Sequence, residues 1–551
     1  MPRITVNEID SSRYVSPSES APMVVLVPGT ASFGPVFSDA NPAVTTFVGE
    51  DALADFYNMY GYSPACVAGE GMAVSTIEGD GSFEYATNLL RSGATIQFYR
   101  INEGKVATSS DGKISAKHSG RFGIHLVVKV EPVDNVNTDA VTDAVIYVYR
   151  SKSAFTSADA NLTDESLVNF VELYNGRVST SATSAFYVDT LDIPFIDISA
   201  ENLATIIKSN ASIVNLYGGY DFSAEGSEDE QSAEDAATSM IKSLTSSYAH
   251  FVDPYLFDFD FVTSGGIVLA SDEDTKTGDE ITEYGNNSIH IAMKKLVEAR
   301  KDCEAILDTA ITTTATKLVE YAGKKELNSS YCTFYAPWAT IVSNTSGATI
   351  WAPPSLLFMK AILLGMQSQT ESALWYVPAG VSRASAPFII KPYYEIGSTI
   401  LDEFQNKHKH RINPIMKLRN YGYCVYGNAT ALHAEPGVPQ SALESMNVRI
   451  ISNVIKKYIF EVCSGLSFDY NNSTLWLKFY SQMDEKLLYM KRHYGLYDYK
   501  IQMDSSTVTT QAQNERRVPG KILISPTLAG EFFDIDFEIA PSGVSFTEEG
   551  E

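Results

Sequence analysis

Residues 348–381 read ATIWAPPSLLFMKAILLGMQSQTESALWYVPAGV. Pro353 and Pro354 stand just before the apolar run Leu356–Met366, at the one place in a helix where a missing N–H costs nothing. Trp351 and Trp375 flank the run, and Pro378-Ala379-Gly380 closes the segment. The stretch therefore predicts a turn, a buried helix and a second turn. Lys360 interrupts the apolar run, and no stretch of the chain reaches the ~18 residues of a membrane span.

The rest of the composition sets bounds around that segment. A chain of 551 residues exceeds what one hydrophobic core holds and predicts several domains. Its 44% hydrophobic and 20% charged residues are ordinary for a globular protein. The formal charge of −26 repels phosphate backbones and argues against nucleic-acid binding. That charge is uneven. Residues 401–500 hold 13 Lys and Arg against 9 Asp and Glu, whereas the Ser-rich tract 223–235 is strongly acidic and reads as a surface loop. Cys66, Cys303, Cys332, Cys424 and Cys463 lie far apart without C-x-x-C spacing, which points to reduced thiols in a cytosolic setting.

The motifs of common chemistries are incomplete. Gly29 and Gly34 are spaced as in a phosphate loop, but Pro35-Val36 replaces the required Lys-Ser/Thr. His408 and His410 share a face only on a strand, and within the run KHKHR they read as part of a solvated basic patch. Asp258 and Asp260 read either as a carboxylate dyad or as the outward acids of an edge strand. No catalytic, cofactor or metal site is expected.

The periodicity predicts a strand at Met23–Val27, helices at Asp51–Tyr60 and Tyr85–Arg91, and a strand at Ala94–Ile101. Ile124–Val130 and Ala144–Arg150 read as strands and Asp235–Tyr248 as a helix. Phe259–Leu269 reads as a strand, succeeded by a long helix from about Ile289 to Tyr321. Ile451–Phe460 and Leu487–Tyr494 read as helices carrying Lys456, Lys457, Lys491 and Arg492. Near the C-terminus Phe533, Ile535, Phe537 and Ile539 alternate with Asp534, Asp536 and Glu538, a strand with one charged face. It serves equally to close its own sheet or to join another. The tract Ile4–Ser20 reads as a frayed terminus or as an extended strand, with Ile4, Val6, Ile9, Tyr14 and Val15 as its apolar positions. About 18 extended residues reach ~60 Å, far enough to cross to a neighbouring molecule.

Several motifs recur in one order along the chain. They are Gly29-Thr30-Ala31 with Gly34-Pro35, Ser92-Gly93-Ala94 leading to Tyr99-Arg100-Ile101, and Leu216-Tyr-Gly-Gly-Tyr-Asp221. Arg300–Thr309, the opening segment, His410–Ile415, Tyr421–Thr430, Asn447-Val448-Arg449 and Phe468–Trp476 come after them. Together they resemble the contractile phage tail sheath proteins, and Arg300–Thr309 resembles that family's "R…c.aIlD" strand although its own residues read as helical. Departures are Tyr426 for Trp, Ala429 for Arg and Ile450 for the second arginine of "NVRR".

The resemblance implies an α+β and α/β multidomain fold. It has a discontinuous sheath core with inserted β-sandwich-like and α/β regions, and a C-terminal α+β domain completed by strand exchange. The implied parts are an extended arm at 1–20, core at 21–104, a β-rich insertion at 105–202, an α/β domain at 203–395 and a tube-facing domain at 396–551. The implied function is structural and non-enzymatic, without cofactors. Stacked hexameric rings surround a tail tube and contract to drive it through the host envelope. Partners would be further copies, the tube protein, and baseplate and terminator proteins, in a virion assembled in host cytoplasm. The alternatives are the sheath of a phage-derived bacteriocin or related injection system and, from another class, a cytosolic hydrolase. The arm residues are Ile4, Val6, Ile9, Tyr14 and Val15; the exchange strand holds Phe533, Ile535, Phe537 and Ile539; the tube-facing cations are Lys456, Lys457, Lys491 and Arg492.

Overall fold

The computed structural model describes residues 23–38, 43–61, 80–102, 104–133, 142–158, 162–209, 213–220, 233–278, 280–344, 347–368, 373–405, 411–433, 441–505 and 507–530. The chain divides into two compact units, Met1–Gly465 and Leu466–Glu551. The fold is mixed α+β.

The first unit is built on an eight-stranded sheet. From one edge the order is Gly422–Val425, Asn413–Leu418, Cys332–Ala336, Glu304–Leu307, Phe261–Val262, Val24–Gly29, Thr95–Arg100 and Thr45–Phe47. The six inner strands run parallel and the two edge strands antiparallel. Continuous apolar runs such as Val24–Val27 suit this arrangement, because a parallel sheet is covered on both faces. Alternate side chains take opposite faces. Leu26, Val262, Ala305, Leu307 and Phe334 share a core with Leu244, Met293 and Leu318, which belong to helices Ala233–Ser247, Asn286–Arg300 and Ala315–Ala322. On the other face Tyr335 stacks on Phe358 with ring centroids 4.2 Å apart, and Phe98 meets Phe56 and Tyr60 edge-on. Phe358 lies on helix Pro354–Ser368, and Phe56 and Tyr60 on helix Ala52–Tyr60. The opening segment thus supplies the buried helix, but strand Thr349–Ala352 precedes it where a turn was expected.

Two expectations are corrected. The long helix from Ile289 to Tyr321 is interrupted: helix Asn286–Arg300 stops at Lys301, whose φ is +65°. Strand Glu304–Leu307 then enters the sheet before helix Ala315–Ala322. Pairing of this strand on both sides outweighs the local helical pattern. The strand expected at Phe259–Leu269 shrinks to Phe261–Val262. Gly265 has φ +63°, and a Cβ there would lie 1.7 Å from the Pro28 carbonyl oxygen, so the chain turns under the neighbouring strand where only glycine fits.

Residues after Arg100 form a separate β-rich body. Strands Val171–Ser179, Asp143–Arg150, Leu126–Pro132 and Ile213–Asn215 make an antiparallel sheet in that order. Val128, Ile146 and Val178 pack with Leu203 and Ile207 of helix Ala200–Ser209. Fully buried Arg100 ties this body to the core sheet, donating to the Gly34 and Ser119 carbonyls and to the Asn102 side chain.

The second unit holds helix Ser473–Arg492, capped by Asn472, whose side chain accepts from the Thr474 and Leu475 amides. Strands Leu496–Gln502 and Lys521–Pro526 form an antiparallel pair, and the short helix Thr510–Asn514 lies between them in the chain.

Candidate assembly surfaces

Two of the sequence motifs meet in the core. Asp308 comes directly after strand Glu304–Leu307, and Ser355 opens helix Pro354–Ser368. The Ser355 amide donates to Asp308 Oδ1 at 2.9 Å, its hydroxyl donates to Oδ2, and Tyr85 Oη lies 2.9 Å from the same hydroxyl. A carboxylate at a helix N-terminus satisfies otherwise unbonded amides and complements the dipole. His290 bridges Tyr321 and the Asp308 carbonyl. Lys360, the charge inside the apolar run, bonds Asn88 on the adjacent helix at 2.9 Å. This junction is a clamp between strand and helix.

Burial pushes the Asp308 carboxyl up to about 7 against the two bonds from Ser355. Its folded pKa therefore exceeds the unfolded value, and the stability this contributes is complete below about pH 4 and lost by about pH 7. Relative to Asp308→Asn, which does not titrate, the wild-type chain should lose on the order of 4 kcal/mol over that window. Urea unfolding of both chains at pH 4 and pH 8 measures it; a gap that stays constant with pH would contradict the assignment.

Helix Met446–Leu466 carries the first two expected cations, and both are engaged within the subunit. Lys456 Nζ donates to the Lys301 carbonyl at 2.7 Å and to Tyr331 Oη at 3.0 Å. Lys457 Nζ lies 2.7 Å from both Asp258 and Asp260 and also bonds the Phe259 carbonyl. Burial pulls the Lys457 ammonium down, yet the Asp260 and Asp258 carboxylates outweigh it and hold it above the usual lysine range. Asp258 and Asp260 are thus ion-pair partners of a helix, which neither sequence reading of them anticipated.

Lys491 and Arg492 end helix Ser473–Arg492 and are exposed. Lys491 pairs with Asp498 at 2.8 Å on the next strand, and Arg492 has no ion pair among the described residues. That strand, Leu496–Gln502, was not anticipated from sequence. A register shift between Leu496 and Asp498 breaks its two-residue alternation, which removes the signal a strand would show. Its partner Lys521–Pro526 does alternate, with Lys521, Leu523 and Ser525 exposed and Ile522, Ile524 and Pro526 half-buried. Among the described residues the outer edges of this pair are unpaired. Tyr497 and Leu523 are exposed on it.

The arm positions Ile4, Val6, Ile9, Tyr14 and Val15 lie outside the described residues, as do Phe533, Ile535, Phe537 and Ile539. The same is true of Cys66, His408, His410 and most of the acidic tract. Cys303, Cys332 and Cys424 are buried thiols. Among the described residues no group of acids, histidines and cysteines could hold a metal, and no helix is long and apolar enough to cross a membrane.

Comparison with known proteins finds similarity to sheath proteins of contractile tails. No family model matches the chain. It is 25% identical over 200 residues to the tail sheath protein of Enterobacteria phage T4, covering 36% of this chain and 28% of that protein. It is 22% identical over 188 residues to the tail sheath protein of Vibrio phage KVP40, covering 34% of this chain and 27% of that protein. The solved sheath tail protein of Desulfitobacterium hafniense aligns with a TM-score of 0.48 at 12% identity, over 91% of this chain and 94% of that one. Over about a third of its length the chain is thus similar to tail sheath proteins of contractile-tailed phages. It matches a little over a quarter of the length of its phage relatives, and these relatives are named as a structural part and not as enzymes.

Proposed function

We propose that the chain is the structural subunit of a contractile sheath on a phage or phage-like particle. Copies stack as hexameric rings around a tail tube, seated on a baseplate, and contract to drive the tube through the host envelope. The observation that carries this reading is the two-stranded sheet Leu496–Gln502 and Lys521–Pro526, whose outer edges have no partner among the described residues. An open edge is a template for a strand from another chain. The occupants we assign are Ile4–Val15 of one neighbour and Phe533–Ile539 of another, both with apolar positions in the sequence that a strand could use. Repeated weak links of this kind make a strong polymer, and tethers on open edges let rigid bodies rotate without separating.

The division into arm 1–20, core 21–104, insertion 105–202, α/β domain 203–395 and C-terminal domain 396–551 belongs to this reading. The tube-facing role is kept for Lys491 and Arg492, since Lys456 and Lys457 are engaged internally. A pair as exposed as Lys491–Asp498 contributes little to folding. Its cation is therefore available to exchange partners during sliding, and contacts of this kind are screened by salt. Charge reversal, Lys491→Glu with Arg492→Glu, should leave the melting temperature nearly unchanged and abolish co-sedimentation with tubes. Sheath–tube binding that survives the reversal at low salt would remove this surface from the reading. Electron micrographs of the purified chain test the whole: tubes or ring stacks support it, and discrete particles at every concentration contradict it.

A further inference from the structure

The two outer edges of the second unit's sheet differ. Strand Leu496–Gln502 carries a register shift between Leu496 and Asp498, and an irregular edge of this kind resists further pairing. Strand Lys521–Pro526 alternates without interruption: Lys521, Leu523 and Ser525 are exposed, while Ile522 and Ile524 are half-buried. Ile522 stands directly opposite Ile501, which is buried. Side chains so paired share one face of a sheet, so the difference in cover comes from the outer flank of Lys521–Pro526. No strand lies on that flank among the described residues.

The sequence just beyond has the matching pattern. Phe533, Ile535, Phe537 and Ile539 alternate with Asp534, Asp536 and Glu538. The Thr527 amide still donates to the Gly495 carbonyl at 3.2 Å, which leaves residues 528–532, Gly530 among them, as the connection. Five residues are a common length for a hairpin loop. Setting Pro526 opposite Phe533 sets Ile524 opposite Ile535 and Ile522 opposite Phe537. On the other face Lys521, exposed and without an ion pair among the described residues, then stands opposite Glu538. A slip of one residue would lay Asp534 and Asp536 against the isoleucines, which fixes the register.

We propose that in the dispersed subunit residues 533–539 fold back on strand Lys521–Pro526 of their own chain and close its edge, and that on assembly a neighbour's 533–539 takes the same place. The second half rests on the exchange reading given above; the first half does not. The tether decides between the two states. A segment on a short linker acts at an effective concentration on the order of millimolar, so in dilute solution the chain's own segment wins over that of any free neighbour. A neighbour's segment competes only after other contacts have fixed that neighbour in place. Closure thus covers an edge that would otherwise template pairing, and the swap trades like contacts for like.

The test is amide hydrogen exchange of the full chain, read residue by residue through a dilution series in which only single subunits sediment. The amides of 521–526 that face away from Leu496–Gln502 should be protected to the same degree at every dilution. In the full-length variant Ile535→Asp with Phe537→Asp they should exchange about tenfold faster, with strand Val24–Gly29 of the first unit unchanged. Protection that declines with dilution means that a neighbour closes the edge, and no protection means that nothing does. Either result overturns the proposal, as does equal protection in variant and wild type. Should the variant not fold, the dilution series on the wild-type chain decides alone. The expected protection in a chain that never forms tubes would support the closure and defeat the sheath reading, so the two fail separately.

Discussion

A chain lacking residues 1–20 should fold, remain a dispersed subunit and form no tubes. The expectation combines two observations. The first unit's core begins at Met23 and Val24, with Val25, Leu26 and Val27 fully buried in the parallel sheet, so the deletion removes none of the described core. The second unit presents a two-stranded sheet whose outer edges are unpaired among the described residues, which by itself is a marginal structure and gains most from an added strand. Loss of one exchanged strand removes every backbone bond of that link at once, so the effect on assembly is all-or-none and not graded. Sedimentation and electron microscopy measure it, with far-ultraviolet circular dichroism as the control for folding. Long tubes formed by the shortened chain would exclude the arm as the link.

The largest effect on stability should come from Arg300→Ala. The Arg300 side chain is completely buried. It donates to the Phe251 and Phe257 carbonyls at 2.8 Å, makes a bidentate pair with Asp302 at 2.9 Å, and lies 4.2 Å from the centre of the Phe259 ring. One guanidinium therefore fixes the turn that ends helix Asn286–Arg300 and the loop leading to strand Phe261–Val262. Truncation strands two carbonyls and leaves Asp302 without its buried partner. Removing one member of such a pair costs about 3–5 kcal/mol. Lysine should not rescue it, because an ammonium cannot reproduce the planar fork. Urea denaturation gives the value; a loss under about 1 kcal/mol would mean that the loop settles without the cation.

The sequence made some of this legible and hid the rest for identifiable reasons. Strand Val24–Gly29, helix Ala52–Tyr60 and strand Thr95–Arg100 were readable because each carries its own apolar period between turn residues. Arg300–Thr309 was readable as a strand only through the family resemblance. Its residues suit a helix, and only hydrogen bonding to Phe261–Val262 on one side and Cys332–Ala336 on the other makes Glu304–Leu307 a strand. Among the candidate surface residues, the placement of Lys491 and Arg492 at the end of a helix was readable from pattern. The pairing of Lys457 with Asp258 and Asp260, 197 or more residues away in sequence, was not, since no local signal links them.

Apolar periods and turn residues, which are local properties of the polymer, made the mixed α+β character legible from the sequence, and the order of the motifs carried the resemblance to tail sheath proteins. Only the tertiary structure decided which charges remain on the surface. Ser355 meets Asp308, Lys457 meets two acids, and Glu304 meets no hydrogen-bond partner among the described residues. The physical reason is that a charge's fate depends on what the fold brings within a few ångströms of it. That distance is set by sheet order and helix packing, not by position along the chain.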